Sequence, residues 1–194
     1  MKPIQRSEIL PLGEYELVRE RFRVRVIEDK RPRRVALGAH LSATFENRDT
    51  VLLQIQEMLR TERINREAAV QHEIDTYNEL VPGDDELSFT LFVEIPEREL
   101  RERMLGELAG LEDHVGLEVD GQLVPAVGKR PEAVPDRTTA VHYLKLPLPA
   151  PLAARLRSRA ASAALVVKHP RYECRTELSA ATLTALAEDL GWSS

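Results

Sequence analysis

The chain has 194 residues, 43% of them hydrophobic, 30% charged and only 5% aromatic, with a formal net charge of -5. That length accommodates one good core built mostly from Leu, Val, Ile and Ala, and the acidic balance argues against bulk nucleic-acid binding. One cysteine, Cys174, excludes an internal disulfide, a cysteine-ligated iron-sulfur cluster held by this chain alone, and a CxxC redox pair.

Ser7, Leu10 and Leu12 read as a capped turn that docks the N-terminus, followed by a helix from about Gly13 to Asp29 whose Tyr15, Val18, Phe22 and Val26 face inward. The RPRR run at 31–34 breaks it. From Arg19 to Arg34 eight Lys or Arg stand against three acids, so Arg23, Arg31, Arg33 and Arg34 form a candidate anion or RNA site, against the plainer reading of a solvated helix face. Val35 and Leu37 begin a strand, and Gly38 permits a tight turn. From His40 to Glu46 the side chains alternate, with Leu41, Ala43 and Phe45 on a core face and His40, Ser42, Thr44 and Glu46 on the other.

Asn47 or Asp49 caps a helix that begins near Thr50. Val51, Leu52, Ile55, Met58 and Leu59 fill one arc of it, and Leu53 and Ile64 form a second apolar spot nearly opposite. Gln54, Glu57 and Thr61 lie on the edge between, with Arg60 beside Glu57. A buried carboxylate without a partner costs several kcal/mol or shifts its pKa. Glu57 is therefore expected to pair with Arg60, another base or a ligand.

Asn65 caps the next helix, with Val70, Ile74, Tyr77 and Val81 inward and an end at Pro82 and Gly83. Leu87 to Ile95 is an interior strand, and Pro96 opens a helix with a Leu100, Met104, Leu108 and Leu111 stripe. Asp120 and Gly121 are the two turn residues of a hairpin. The Pro-rich run from Gly128 to Arg137 is a candidate mobile loop and contact surface. Strands follow at Thr138–Leu146, Ala163–Lys168 and Tyr172–Thr176, with a short helix from about Leu152 to Ala160 and a last helix capped by Ser179 and closed by Gly191.

Interleaved helices and strands with tight hairpins predict an α+β fold, a largely antiparallel sheet with helices packed on it. A single unit over 1–194 is expected, with a subdivision near 82–86 as the alternative. No window approaches the roughly 18 apolar residues of a membrane span, and the start lacks a signal-peptide pattern. The protein is expected to be cytoplasmic.

The five histidines, at positions 40, 72, 114, 142 and 169, show neither HxxxH nor HExxH spacing, and none follows a Glu at the di-iron spacing. GxGxxG, GxxxxGK[ST] and GxSxG are absent. What remains is a constellation of His40, Glu46, Gln54, Glu57 and His72 on one strand, its elbow and two helices. His40, Glu46, Glu57 and His72 would offer imidazole and carboxylate ligands suited to iron, manganese or zinc. The competing reading is a satisfied hydrogen-bond network that ties strand to helix.

Several strings, SEILPLGEY (7–15), FENRDTVLLQIQEMLRTERI (45–64), YNELVPG (77–83), ELSFTLFVEIP (86–96), TTAVHYL (138–144) and HPRY (169–172), resemble a bacterial family catalogued as domain-of-unknown-function family 3501. The resemblance runs over nearly the full length and transfers no activity or catalytic residue. It implies a context instead: such proteins look like companions of rubrerythrin-like and iron-sulfur oxidoreductase proteins encoded nearby. A non-enzymatic accessory or interaction protein of a redox or iron-dependent system is the leading expectation. A metal-binding protein or metal-dependent enzyme is the second, and RNA or anion binding the third.

Overall fold

The structure is a computed structural model that describes residues 1–128 and 136–191. In chain order its elements are α1 (Leu12–Lys30), β1 (Arg34–Leu37), β2 (Leu41–Glu46), α2 (Arg48–Thr61), α3 (Glu67–Asn78), β3 (Glu86–Val93), α4 (Arg98–Glu107), β4 (Val115–Val119), β5 (Gln122–Pro125), β6 (Val127–Gly128), β7 (Val141–Pro147), α5 (Ala150–Arg157), β8 (Ala163–His169), β9 (Tyr172–Glu177) and α6 (Ala180–Leu190). The fold is α+β. Every described strand pairing is antiparallel, but there are two sheets rather than one, ordered β1-β2-β3-β7-β6 and β5-β4-β8-β9.

Alternation along β2 and β3 puts Leu41, Ala43, Phe45, Leu87, Phe89 and Leu91 on one face. There they join Leu117, Leu165 and Val167 of the second sheet and Leu186 of α6 in the main core. Phe45 and Phe89 are paired across the strands, with ring centroids 5.8 Å apart. β9 closes the edge of β1 through side chains: the Tyr172 hydroxyl donates to the Leu37 carbonyl at 2.6 Å, and the Thr176 hydroxyl to that of Ala36 at 2.8 Å.

The opposite face of β2 and β3 is polar and yet buried, because α2 and its neighbours cover it. Glu46 there accepts hydrogen bonds from the hydroxyls of Thr50 and Thr90, with Lys30 Nζ 3.8 Å away. A second apolar cluster lies within the helical layer and consists of Ile4, Ile9, Val51, Ile55, Leu59, Val70, Ile74, Tyr77, Leu80 and Val81. All its members precede residue 82. β1 and β2 also precede residue 82, and they are strands of the five-stranded sheet.

Several boundaries differ from the sequence reading. α2 stops at Thr61, where Arg63 takes a left-handed φ of 53° and the Ile64 amide bonds back to the Leu59 carbonyl, so Ile64 packs on the helical cluster from beyond the helix end. α3 is capped by Arg66 rather than Asn65 and ends at Asn78, and Val81 reaches the same cluster from the turn that follows. The Asp120–Gly121 turn is as expected, both residues having positive φ. The expected mobile loop lies, for 129–135, outside the described residues. Among the described residues no helix is long and apolar enough to cross a membrane.

Candidate functional site

Asn47 starts α2 as predicted, its side chain accepting from the Thr50 amide at 2.9 Å while the Thr50 hydroxyl accepts from the Asn47 amide. This turns Glu57 toward α1, where Tyr15, Arg19 and Arg23 recur every four residues and share one helix face. Arg19 forks onto the carboxylate, Nε to Oε1 at 2.7 Å and Nη2 to Oε2 at 2.8 Å. The Tyr15 hydroxyl donates to Oε1 at 2.6 Å, and Arg23 Nε lies 4.0 Å from Oε2.

The side chain of Glu57 is 28% exposed. Hydrogen bonds from Arg19 outweigh its partial burial, and with the Tyr15 hydroxyl they hold its carboxyl at about 2. Burial, then the adjacent carboxylate, pushes the Tyr15 phenol well above its usual range. The carboxylate is therefore neutralised inside the chain, in a clasp between α1 and α2 that calls for no ligand. Arg60, the partner suggested by local spacing, binds Glu16 instead, at 2.6 Å. Thr61 is exposed at the end of α2.

The proposed metal ligands do not converge. His40 sits in the turn before β2, where its backbone amide donates to the Tyr172 hydroxyl. Glu46 is at the far end of that strand, roughly 20 Å away at the usual rise per residue. Glu57 is held by α1, and His72 is exposed on α3. Among the described residues no group of three His, Cys, Asp or Glu is arranged to hold a metal ion.

Each guanidinium proposed for an anion site in the arginine-rich segment faces a carboxylate of its own chain. Arg23 lies beside Glu57, Arg31 pairs with Glu28 at 2.9 Å, and Arg34 contacts both oxygens of Glu94. Arg33 is buried, bonded to Asp189 and within 3.3 Å of Asp29. Burial pushes the Asp189 carboxyl up to about 6, with Arg33 pulling the other way.

One row of side chains has the outline of a nucleophile relay. The Thr138 hydroxyl is 2.8 Å from His142 Nε2, and Glu112 Oε2 is 3.9 Å from His142 Nδ1. The same Nε2 is 2.9 Å from the Thr139 carbonyl, which can only accept. The proton therefore sits on Nε2 and goes to the Thr139 carbonyl, so Nε2 has no lone pair with which to draw a proton from Thr138. At 3.9 Å the carboxylate is beyond hydrogen-bond reach of the ring. Burial lowers the His142 pKa and keeps the ring neutral. The row is a lock on the turn at 138–142.

A cleft of about 920 Å³ opens between the end of α3 and the β6–β7 side of the larger sheet. Its walls include Tyr77, Leu80, Val127, Val141, Tyr143 and Lys145. The Gln54 amide lies 3.4 Å from the Tyr143 hydroxyl. Lys145 is neutralised by Glu86 at 2.8 Å, and burial raises the Tyr77 phenol, which stays protonated. The volume falls in the range of about 300–1,000 Å³ usual for binding sites, and apolar walls with a few hydrogen-bonding groups are their usual lining.

Sequence reasoning missed this site. Tyr77 reads as one more core position of a helix and Tyr143 as the outward face of a strand. Only the pairing of β7 with β3, which sets Tyr143 opposite Thr90, brings the two phenols to the same cleft. Of the predicted polar cluster, Gln54 alone is bonded to a residue of its lining, Tyr143.

Comparison with known proteins follows the same outline. A solved structure of a novel protein of unknown function from Burkholderia pseudomallei is 33% identical, with a TM-score of 0.90 over 97% of this chain and 100% of that one. No curated protein matches. The family model described as Protein of unknown function (DUF3501) matches residues 3–190. The chain belongs to the DUF3501 family.

Proposed function

We propose that this chain is a non-enzymatic accessory protein that binds a partner protein through the cleft between α3 and β7, the partner being a rubrerythrin-type or iron-sulfur oxidoreductase. The observation that carries the reading is the lining of the cleft. Val127, Val141 and Tyr143, three of the eight large hydrophobic side chains exposed among the described residues, stand together at its rim. Exposed apolar side chains gathered around a concave site mark recognition surfaces.

The occupant that suits the cleft is an apolar or aromatic anchor side chain of another protein. The phenols of Tyr77 and Tyr143 can donate to backbone carbonyls of the segment carrying it. Lys145 is already paired to Glu86, and Glu79 is a further charged group in the lining beside these hydrogen-bonding side chains. The sequence resemblance supplies the class of partner.

Affinity capture from the native host tests this. The wild-type chain should retain an oxidoreductase of one of these classes, and Tyr143→Ala combined with Val141→Ser should release it while the fold persists. Capture of no such oxidoreductase, or its undiminished capture by the double variant, would overturn the reading.

A further inference from the structure

α1 buries only Tyr15 and Val26, and polar contacts such as the Glu57 clasp and the Arg25–Asp49 pair hold the same side of it to the body. On the opposite side Leu17, 84% exposed, is followed at seven and ten residues by Val24 and Ile27, also exposed. At 100° per residue these three share one outward stripe. Charge along the same helix is graded. Glu14, Glu16 and Glu20 outnumber Arg19 in the first half, and Arg21, Arg23, Arg25 and Lys30 outnumber Glu28 and Asp29 in the second. Among the described residues Glu14, Glu20 and Arg21 form no ion pair or side-chain hydrogen bond, unlike most of the helix's other charges.

We infer that the outer face of α1 is a contact between two copies of this chain, packed antiparallel about a twofold axis near Glu20 and Arg21. An isologous contact requires a self-complementary surface, and this one is. With the axis there, Leu17 of one copy meets Val24 of the other, and Glu20 meets Arg21 on both sides. The acidic half of each helix then lies along the basic half of its partner. A parallel pair would set acid against acid. The apolar stripe supplies the attraction, and the charges select orientation and register. The inference rests on α1 and not on the cleft, from which α1 is separated by α2 in the helical layer.

Sedimentation of the full chain, with circular dichroism to verify folding, is the test. Wild type should sediment as two chains and dissociate on dilution, and Leu17→Lys should be monomeric. Glu20→Arg should weaken the dimer by about tenfold or more, and adding Arg21→Glu should restore it, because the exchanged charges face each other again. A wild-type chain that stays monomeric at every concentration overturns the inference, as does a Leu17→Lys dimer. Failure of the charge exchange to restore association overturns the antiparallel register.

Discussion

Glu57 and Gly38 carry the two clearest consequences of single side chains. Glu57→Gln removes the charge and one of the two acceptor oxygens and sets an amide NH2 against an arm of the Arg19 fork, so it should lower unfolding stability by roughly 1–3 kcal/mol, measured by urea titration at neutral pH. The pH dependence follows from the same contacts. Because the folded-state carboxyl titrates at about 2, below its ordinary value, its contribution is complete above the ordinary carboxylate range and is lost as pH falls toward 2. The variant should lack that part of the acid-induced decline. Gly38 has a φ of +70°, and a Cβ there would run into the Tyr172 hydroxyl that ties β9 to the β1–β2 turn. Gly38→Ala should cost about 1–3 kcal/mol in thermal unfolding, through backbone strain and a displaced Tyr172.

Among the elements, those whose cause is local were legible before the structure. The junction of β2 with α2 follows from strict alternation up to Glu46 and an Asn at the cap, and α2 begins within two residues of expectation. The interior position of β3 followed from its apolar run, and the Asp120–Gly121 hairpin from the two residues that its turn requires. Pairings between distant elements were not legible. Arg60 looked like the partner of Glu57 because it is three residues away, whereas Arg19 reaches it only when α1 packs on α2. The four-residue recurrence of Tyr15, Arg19 and Arg23 was the signal that could have shown an acid-facing stripe. Arg33 read as solvated in a basic run, and it is buried because Asp189 of α6 meets it there. At this scale the cleft is a product of α3 against β7, and the Tyr143→Ala, Val141→Ser pair alters its rim without entering the main core.

For the whole molecule, α+β was readable from the interleaving of patterns, but the division into two sheets was not. β4–β5 read as a hairpin and β8 and β9 as successive strands, and nothing within either pair states that the two pairs join each other instead of extending β3 and β7. The same limit explains the expected metal cluster, in which residues close in sequence were taken as close in space. β2 is long enough to separate His40, in the turn before it, from Glu46 at its far end. The assembled molecule carries two separate exposed apolar surfaces on either side of α2, the cleft at β7 and the outer stripe of α1. The first is assigned to a partner protein and the second to another copy of the chain, so charge exchange at Glu20 and Arg21 should alter self-association and leave partner capture intact.

Amide hydrogen exchange on the chain alone and mixed with the oxidoreductase proposed as its partner tests the central claim most directly. Binding at the cleft predicts slowed exchange confined to the end of α3, around 76–80, and to β7, around 139–145, with α1 unchanged. Slowing over α1 or the Glu57 clasp, with none at β7, would contradict it.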